Sequence, residues 1–179
     1  FGPYALSHDG TVFRYDYLNS EMLLVEELVD HGQVFAIDCC WNQVAALTST
    51  GKCLILDPVY TDDLTAVVQF QVLQIPPLPT MPVAINFSIT FSILTSDGKI
   101  YQFPAFDNLV RPNGVIHSRP TVISLDQPIR RIYDFTTFEN IKGQLYEFSY
   151  ARSIVSTPSA FTSYADYHTI IKREGMPLS

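Results

Sequence analysis

Apolar residues in this 179-residue chain come in short runs that stop at a glycine and resume directly after it. YALSHDG leads into TVFRY over residues 4–15, VAALTSTG into KCLIL over 44–56, FSILTSDG into KIYQF over 91–103, and FENIKG into QLYEF over 138–148. The glycines are Gly10, Gly51, Gly98 and Gly143, spaced by 41, 47 and 45 residues. Half of the eight glycines in the chain thus share one recurring position. Runs of this length are strands, and a glycine between them supplies the positive φ that a tight hairpin turn needs.

The flanks repeat as well. Ahead of three hairpins stand VFAIDCC (34–40), VAINFSI (83–89) and IRRIYDF (129–135), each an apolar strand candidate. Behind three of them stand MLLVEELV (22–29), AVVQFQVLQI (66–75) and GVIHSRPTVISL (114–125), read as outer strands. Four antiparallel strands in about 45 residues are the dimensions of a β-propeller blade. The chain is accordingly predicted to be all-β, with blades over 1–31, 32–78, 79–126 and 127–150 and a C-terminal segment over 151–179. Prolines cluster between units, in IPPLPTMP (75–82) and at Pro120 and Pro128, where they end a sheet without removing a ladder hydrogen bond. The first unit lacks its inner strand, so the chain reads as a partial ring or a fragment of a larger propeller with raw edges open to pairing. AFTSYADYHTIIKR (160–173) suits either a strand closing back on the first blade or an amphipathic tail helix over 164–173. A sandwich or barrel of stacked hairpins is the alternative architecture.

Composition supports a β-rich globular chain: 47% hydrophobic, 16% charged and 13% aromatic. No apolar run reaches the roughly 18 residues of a spanning helix, and no basic start with an apolar stretch marks a signal peptide. Three cysteines, Cys39, Cys40 and Cys53, are odd in number and two are adjacent, so reduced buried thiols are expected rather than a disulfide framework. An intracellular, cytoplasmic location is the expectation. The net charge of −7 is uneven, with ten acids against Arg14 and Lys52 in residues 1–63. That acidic first third repels phosphate backbones, and no nucleic-acid partner is expected.

Catalytic motifs are missing from the sequence: no Gly-rich phosphate loop, Cys-x-x-Cys pair, nucleophile elbow or His-Glu-x-x-His. Ser7, His8 and Asp9 are strand neighbours that point to opposite faces, so they read as turn residues and not as a relay. Strand alternation likewise separates Cys39 from Cys40, and with His31 and Cys53 they match no zinc module. No metal and no cofactor is predicted. Candidate partner-binding residues remain. Trp41, the sole tryptophan, sits at a turn between strands where an exposed ring would anchor a partner, packing against the next blade being the alternative. Arg130 and Arg131 open the fourth unit, where one of the pair must face out. Glu26, Glu27 and Asp30 form an acidic stretch able to steer a basic partner or simply to solvate an outer strand.

Residues 26–57, EELVDHGQVFAIDCCWNQVAALTSTGKCLILD, together with PTVISLDQPIRRIYDF (120–135), resemble the regulator of chromosome condensation repeats. The likeness spans about three and a half units. It departs at Cys40 where a Gly is usual, at Gln43 where a His is usual, and at Leu56-Asp57, Phe103-Pro104 and Phe148-Ser149 in place of the closing Trp-Gly. The Trp-Asp repeat family is less similar. The resemblance implies a seven-bladed propeller whose loops and edges bind proteins. A non-enzymatic interaction scaffold within a larger protein or assembly is thus the expected function, with a protein partner or the remainder of the propeller as its contact. Two alternatives stay open: guanine-nucleotide exchange on a small GTPase, for which only 107–114 offers a long loop, and carbohydrate binding.

Overall fold

The computed structural model describes residues 3–40, 42–60, 62, 67–88, 90–103, 116, 118–134, 137–154 and 164–173. They form four antiparallel sheets in chain order. The first holds β1 (Tyr4–Leu6), β2 (Val12–Asp16) and β3 (Glu21–Leu24), followed by a single helical turn α1 (Glu26–Val29). The second is a meander of β4 (Val34–Cys40), β5 (Gln43–Thr48), β6 (Cys53–Tyr60) and β7 (Val67–Gln74). β8 (Pro82–Phe87), β9 (Phe91–Thr95), β10 (Ile100–Phe103) and β11 (Thr121–Ile123) make the third. β12 (Ile129–Ile132), β13 (Thr137–Asn140), β14 (Leu145–Ile154) and β15 (Tyr164–Arg173) make the fourth.

One turn geometry recurs at the four glycine hairpins, β1–β2, β5–β6, β9–β10 and β13–β14. Gly10, Gly51, Gly98 and Gly143 have φ of 85°, 83°, 77° and 78°, in the left-handed region where only glycine is unstrained. Each donates its N–H to the carbonyl three residues earlier, on Ser7, Thr48, Thr95 and Asn140, at 3.1, 3.0, 2.9 and 3.0 Å. The side chains at those four positions tie the turn again. Thr11 N donates to Ser7 Oγ at 3.1 Å, Lys52 N to Thr48 Oγ1 at 3.0 Å and Gln144 N to Asn140 Oδ1 at 3.0 Å, while Thr95 Oγ1 donates to Asp97 Oδ1 at 2.7 Å. A short polar side chain competes well for backbone groups in a turn, which explains the choice.

Packing follows from alternation on two buried faces. In β5 and β6, Val44, Ala46, Leu54 and Leu56 join Val12, Val25, Leu28 and Val34 in a core shared with the first sheet. Their neighbours Ala45, Leu47, Cys53 and Ile55 join Phe87, Phe91, Ile93, Tyr101 and Phe103 in a core shared with the third. Leu94, Ile100, Ile123, Ile129 and Phe138 form the next core, between the third and fourth sheets. A sheet covered on both sides buries every position, and for that reason all five residues of β9 are buried, Ser92 and Thr95 included.

The hairpin turns also seat the following sheet. Val34 N donates to Gly10 O at 3.2 Å and Ile129 N to Gly98 O at 2.9 Å. At the middle joint the equivalent residue is Pro82, which has no N–H to give, and the Met81 side chain lies against Gly51 instead.

Two readings of the sequence need correction. MLLVEELV is not a continuous outer strand. It breaks after Leu24 into α1, because Val25 and Leu28 are three apart and one helical turn points both into the core while Glu26 and Glu27 face solvent. The C-terminal segment is neither a tail helix nor a strand closing on the first sheet. β15 pairs with β14 over ten consecutive positions, from Leu145 opposite Arg173 to Ile154 opposite Tyr164, so 151–154 and 164–173 belong to the fourth sheet. Of GVIHSRPTVISL, Thr121–Ile123 is strand, and 114, 115 and 117 lie outside the described residues.

The glycines therefore differ in what surrounds them. An added Cβ at Gly98 would meet Pro128 Cβ at 2.4 Å and Ile129 N at 2.9 Å, whereas at Gly143 the nearest atom is Glu139 Oε1 at 3.5 Å. Gly143→Ala should destabilise by about 1–2 kcal/mol, the left-handed backbone penalty alone. Gly98→Ala should add about 1–3 kcal/mol of overpacking. Denaturant midpoints of the two variants check the order.

Candidate functional site

Four residues after the hairpin glycines stand Arg14, Ile55, Gln102 and Glu147, so this register is apolar only in the second unit. Ile55 is fully buried against the third sheet. Arg14 cannot be buried that way. It lays its guanidinium over the Phe70 ring, 4.4 Å from the centroid, keeping its stem against apolar surface and its N–H groups near water. Beside this stack the seam between the first and second sheets opens into a cleft of about 300 Å³, walled by Tyr4, Tyr15, Asp16, Tyr17 and Asn42 as well as Arg14 and Phe70.

The walls of the cleft are held firmly. Tyr4 Oη donates to the Asn42 carbonyl at 2.8 Å, joining the first sheet to the β4–β5 turn. Tyr15 and Tyr17 meet edge to face with centroids 5.0 Å apart, a favoured geometry for aromatic pairs. Asp16 fixes the turn that follows, accepting from Asn19 Nδ2 at 2.7 Å and from Leu18 N at 2.9 Å. Those bonds, with Asn19 foremost, hold its carboxyl below the ordinary value. The turn thereby presents Tyr17 and Leu18 at 73% and 94% exposure. A second cleft of about 140 Å³ lies across the Arg14–Phe70 stack, lined by Leu23, Leu24, Glu26 and Glu27.

The sequence candidates fall into three places. Glu26 and Glu27 line the second cleft, and Asp30, exposed at the end of α1, lines neither cleft. Trp41 lies outside the described residues. Arg130 and Arg131 are far along the chain on β12, where a bulge between Ile129 and Arg131 breaks the strict alternation expected of neighbours. Arg130 pairs with the buried Glu139 carboxylate, Tyr133 Oη donates to the other oxygen at 2.6 Å, and Arg131 sits over the Tyr133 ring at 5.6 Å. The arginines thus serve an internal network. The Tyr133 hydroxyl, then the arginines, stabilise the Glu139 carboxylate and lower its pKa.

Other chemistry-bearing groups resolve into structure. Ser7 Oγ donates to Asp9 Oδ1 and to the Thr11 carbonyl within the first turn, and His8 is exposed beside them. Cys39 packs with the first core and Cys40 with the second, and burial pushes the Cys39 thiol up to about 11. Among the described residues no group of three His, Cys, Asp or Glu side chains is placed to hold a metal. None of their helices is long and apolar enough to cross a membrane. Asp57, buried where the repeat pattern ends in Trp-Gly, accepts from Gln43 Nε2 at 2.8 Å and Gln71 Nε2 at 3.0 Å. Two departures from the pattern, Gln43 and Asp57, are therefore partners.

These sheets define an all-β protein of propeller blades, and its fold is found among solved structures. Prp20p of Saccharomyces cerevisiae is 16% identical with a TM-score of 0.57, the match covering 96% of this chain and 48% of that one. Human WBSCR16 is 13% identical with a TM-score of 0.56, covering 94% of this chain and 49% of that one. A further structure, of Kap60 bound to yeast RCC1 (Prp20), matches with a TM-score of 0.55 at 15% identity, over 96% of this chain and 46% of that one. The regulator of chromosome condensation likeness seen in the sequence agrees with this fold. The chain spans about half the length of the structures it matches. No protein-family model and no curated protein matches it.

A Glu139 carboxyl held below its ordinary value of 4.5 binds fewer protons folded than unfolded around and below that pH. Stability should therefore be fully present above it and fall as acid protonates the native carboxylate. Glu139→Gln should flatten this part of the acid limb, read as denaturant midpoints taken in steps of pH.

Proposed function

We propose that this chain is a non-enzymatic protein-interaction module, a set of rigid blades that presents the seam between its first and second sheets to a protein partner. The observation that carries this reading is the cleft beside the Arg14–Phe70 stack. Large aromatic side chains, two of them braced against each other, stand at the mouth of a concave surface with a neighbouring exposed leucine. Tyrosine and arginine are the residues that dominate protein-binding hot spots, since they bury much area at little entropic loss. Interaction with proteins also suits the fold, because the similar Prp20p binds Gsp1p and histones, and yeast RCC1 (Prp20) is bound by Kap60. The partner is either a separate protein or further blades of the same propeller.

Guanine-nucleotide exchange on a small GTPase is the second reading, favoured by the repeat resemblance. The segment 107–114 that would reach a nucleotide lies outside the described residues. Acceleration of nucleotide release from any member of a GTPase panel would select this reading over a passive scaffold.

Tyr17→Ser combined with Leu18→Ser tests the scaffold directly. Both side chains are exposed, so the denaturant midpoint should stay within about 0.5 kcal/mol of the wild type. Capture of the partner should be lost. Undiminished capture by this variant would place binding elsewhere on the blades.

A further inference from the structure

Resting on the scaffold reading, we infer that the seam binds an extended proline-rich segment followed by basic residues. The first argument is the shape and lining of the cleft. Tyr4, Tyr15, Tyr17 and Phe70 give aromatic surfaces on several sides of one open groove, and proline rings pack on such surfaces without losing conformational freedom, because the polyproline helix is already formed in the free peptide. The second argument is the balance of donors and acceptors. A polyproline segment has carbonyls and no N–H groups, so its receptor must donate. Among the described residues neither the Tyr15 nor the Tyr17 hydroxyl has a hydrogen-bond partner, and Arg14, stacked on Phe70, keeps its N–H groups out of hydrogen bonds while its charge is felt by Asp16. The acceptor Asp16, in contrast, is occupied by its own turn.

Charge sets the direction. The two clefts share Arg14 and Phe70, so a ligand leaving the tyrosines passes over the stack and arrives at Glu26 and Glu27. Both carboxylates are exposed there, and residues 1–63 hold ten acids against two bases. A basic tail on the ligand is attracted, and an acidic one is repelled.

Fluorescence anisotropy with labelled peptides tests this. A peptide of four prolines followed by two arginines should bind, while a glycine-serine peptide with the same arginines and a proline peptide ending in two glutamates should bind at least about tenfold more weakly. Tyr17→Ala should weaken the first peptide at least about fivefold. Glu26→Gln with Glu27→Gln should weaken it at low salt and flatten its salt dependence, leaving a neutral proline peptide unaffected. Equal binding of the acidic peptide, binding insensitive to Tyr17→Ala, or no binding of the proline peptide would overturn the proposal. So would sedimentation showing a dimer that Tyr17→Ala dissolves, since a second copy would then fill the groove. If the peptides fail while Tyr17→Ser with Leu18→Ser still abolishes partner capture, the proline preference falls and the scaffold reading stands.

Discussion

Everything in this structure depends on sheets that are buried on both faces. Ala45 and Ala46 are adjacent, fully buried, and belong to different cores. A strand in that position has no solvent side to make polar, and its sheet has no stability apart from its neighbours. The two alanines are small enough to let sheets approach closely, and the bulk is supplied from the other side, where Phe91 meets Phe87 and Phe103 at centroid distances of 5.6 and 5.7 Å. Pairing small residues with large ones across an interface is how a close-packed interior is reached without voids. Stability in such a stack is a property of the joints between sheets more than of any sheet alone.

The proposed binding surface lies where that rule is relaxed. Arg14 shares its register with Gln102 and Glu147 as well as Ile55, and it lays its guanidinium over Phe70 beside the cleft between the first two sheets. Asp16 fixes the turn that follows, and Tyr17 and Leu18 stand exposed on it. A cation held on an aromatic ring, next to exposed apolar side chains, is what the scaffold reading draws on.

Much of the architecture was legible because hairpin chemistry is local. A glycine flanked by apolar runs reports a turn that needs positive φ, and four such phrases at similar spacing report a repeat. Helix α1 was not legible in the same way. MLLVEELV has the composition of a strand, and only the spacing of Val25 and Leu28 betrays the turn. The pairing of β15 with β14 was hidden because it joins segments across a long connection, and nothing in either strand names its partner. Bulges also leave no mark in composition, so the convergence of Arg130 and Arg131 on Glu139 could not be read. The tyrosine cleft left no such signal either: aligning the units on their glycines places Arg14 with Ile55, Gln102 and Glu147, so a polar residue there does not single out the first seam.

The proline at the middle joint moves the hydrogen bonds that tie the second sheet to the third. Gly10 and Gly98 each latch the next sheet through a directional hydrogen bond, but Pro82 offers Gly51 no donor. The tie there is made instead away from the turn, where Phe87 N donates to Asp38 Oδ2 at 2.7 Å and Ile116 N to the Gln74 carbonyl at 3.0 Å. Asp38, on β4, thus does for the middle joint what a turn carbonyl does for the other two, and the directional restraint on that seam rests on a side-chain carboxylate.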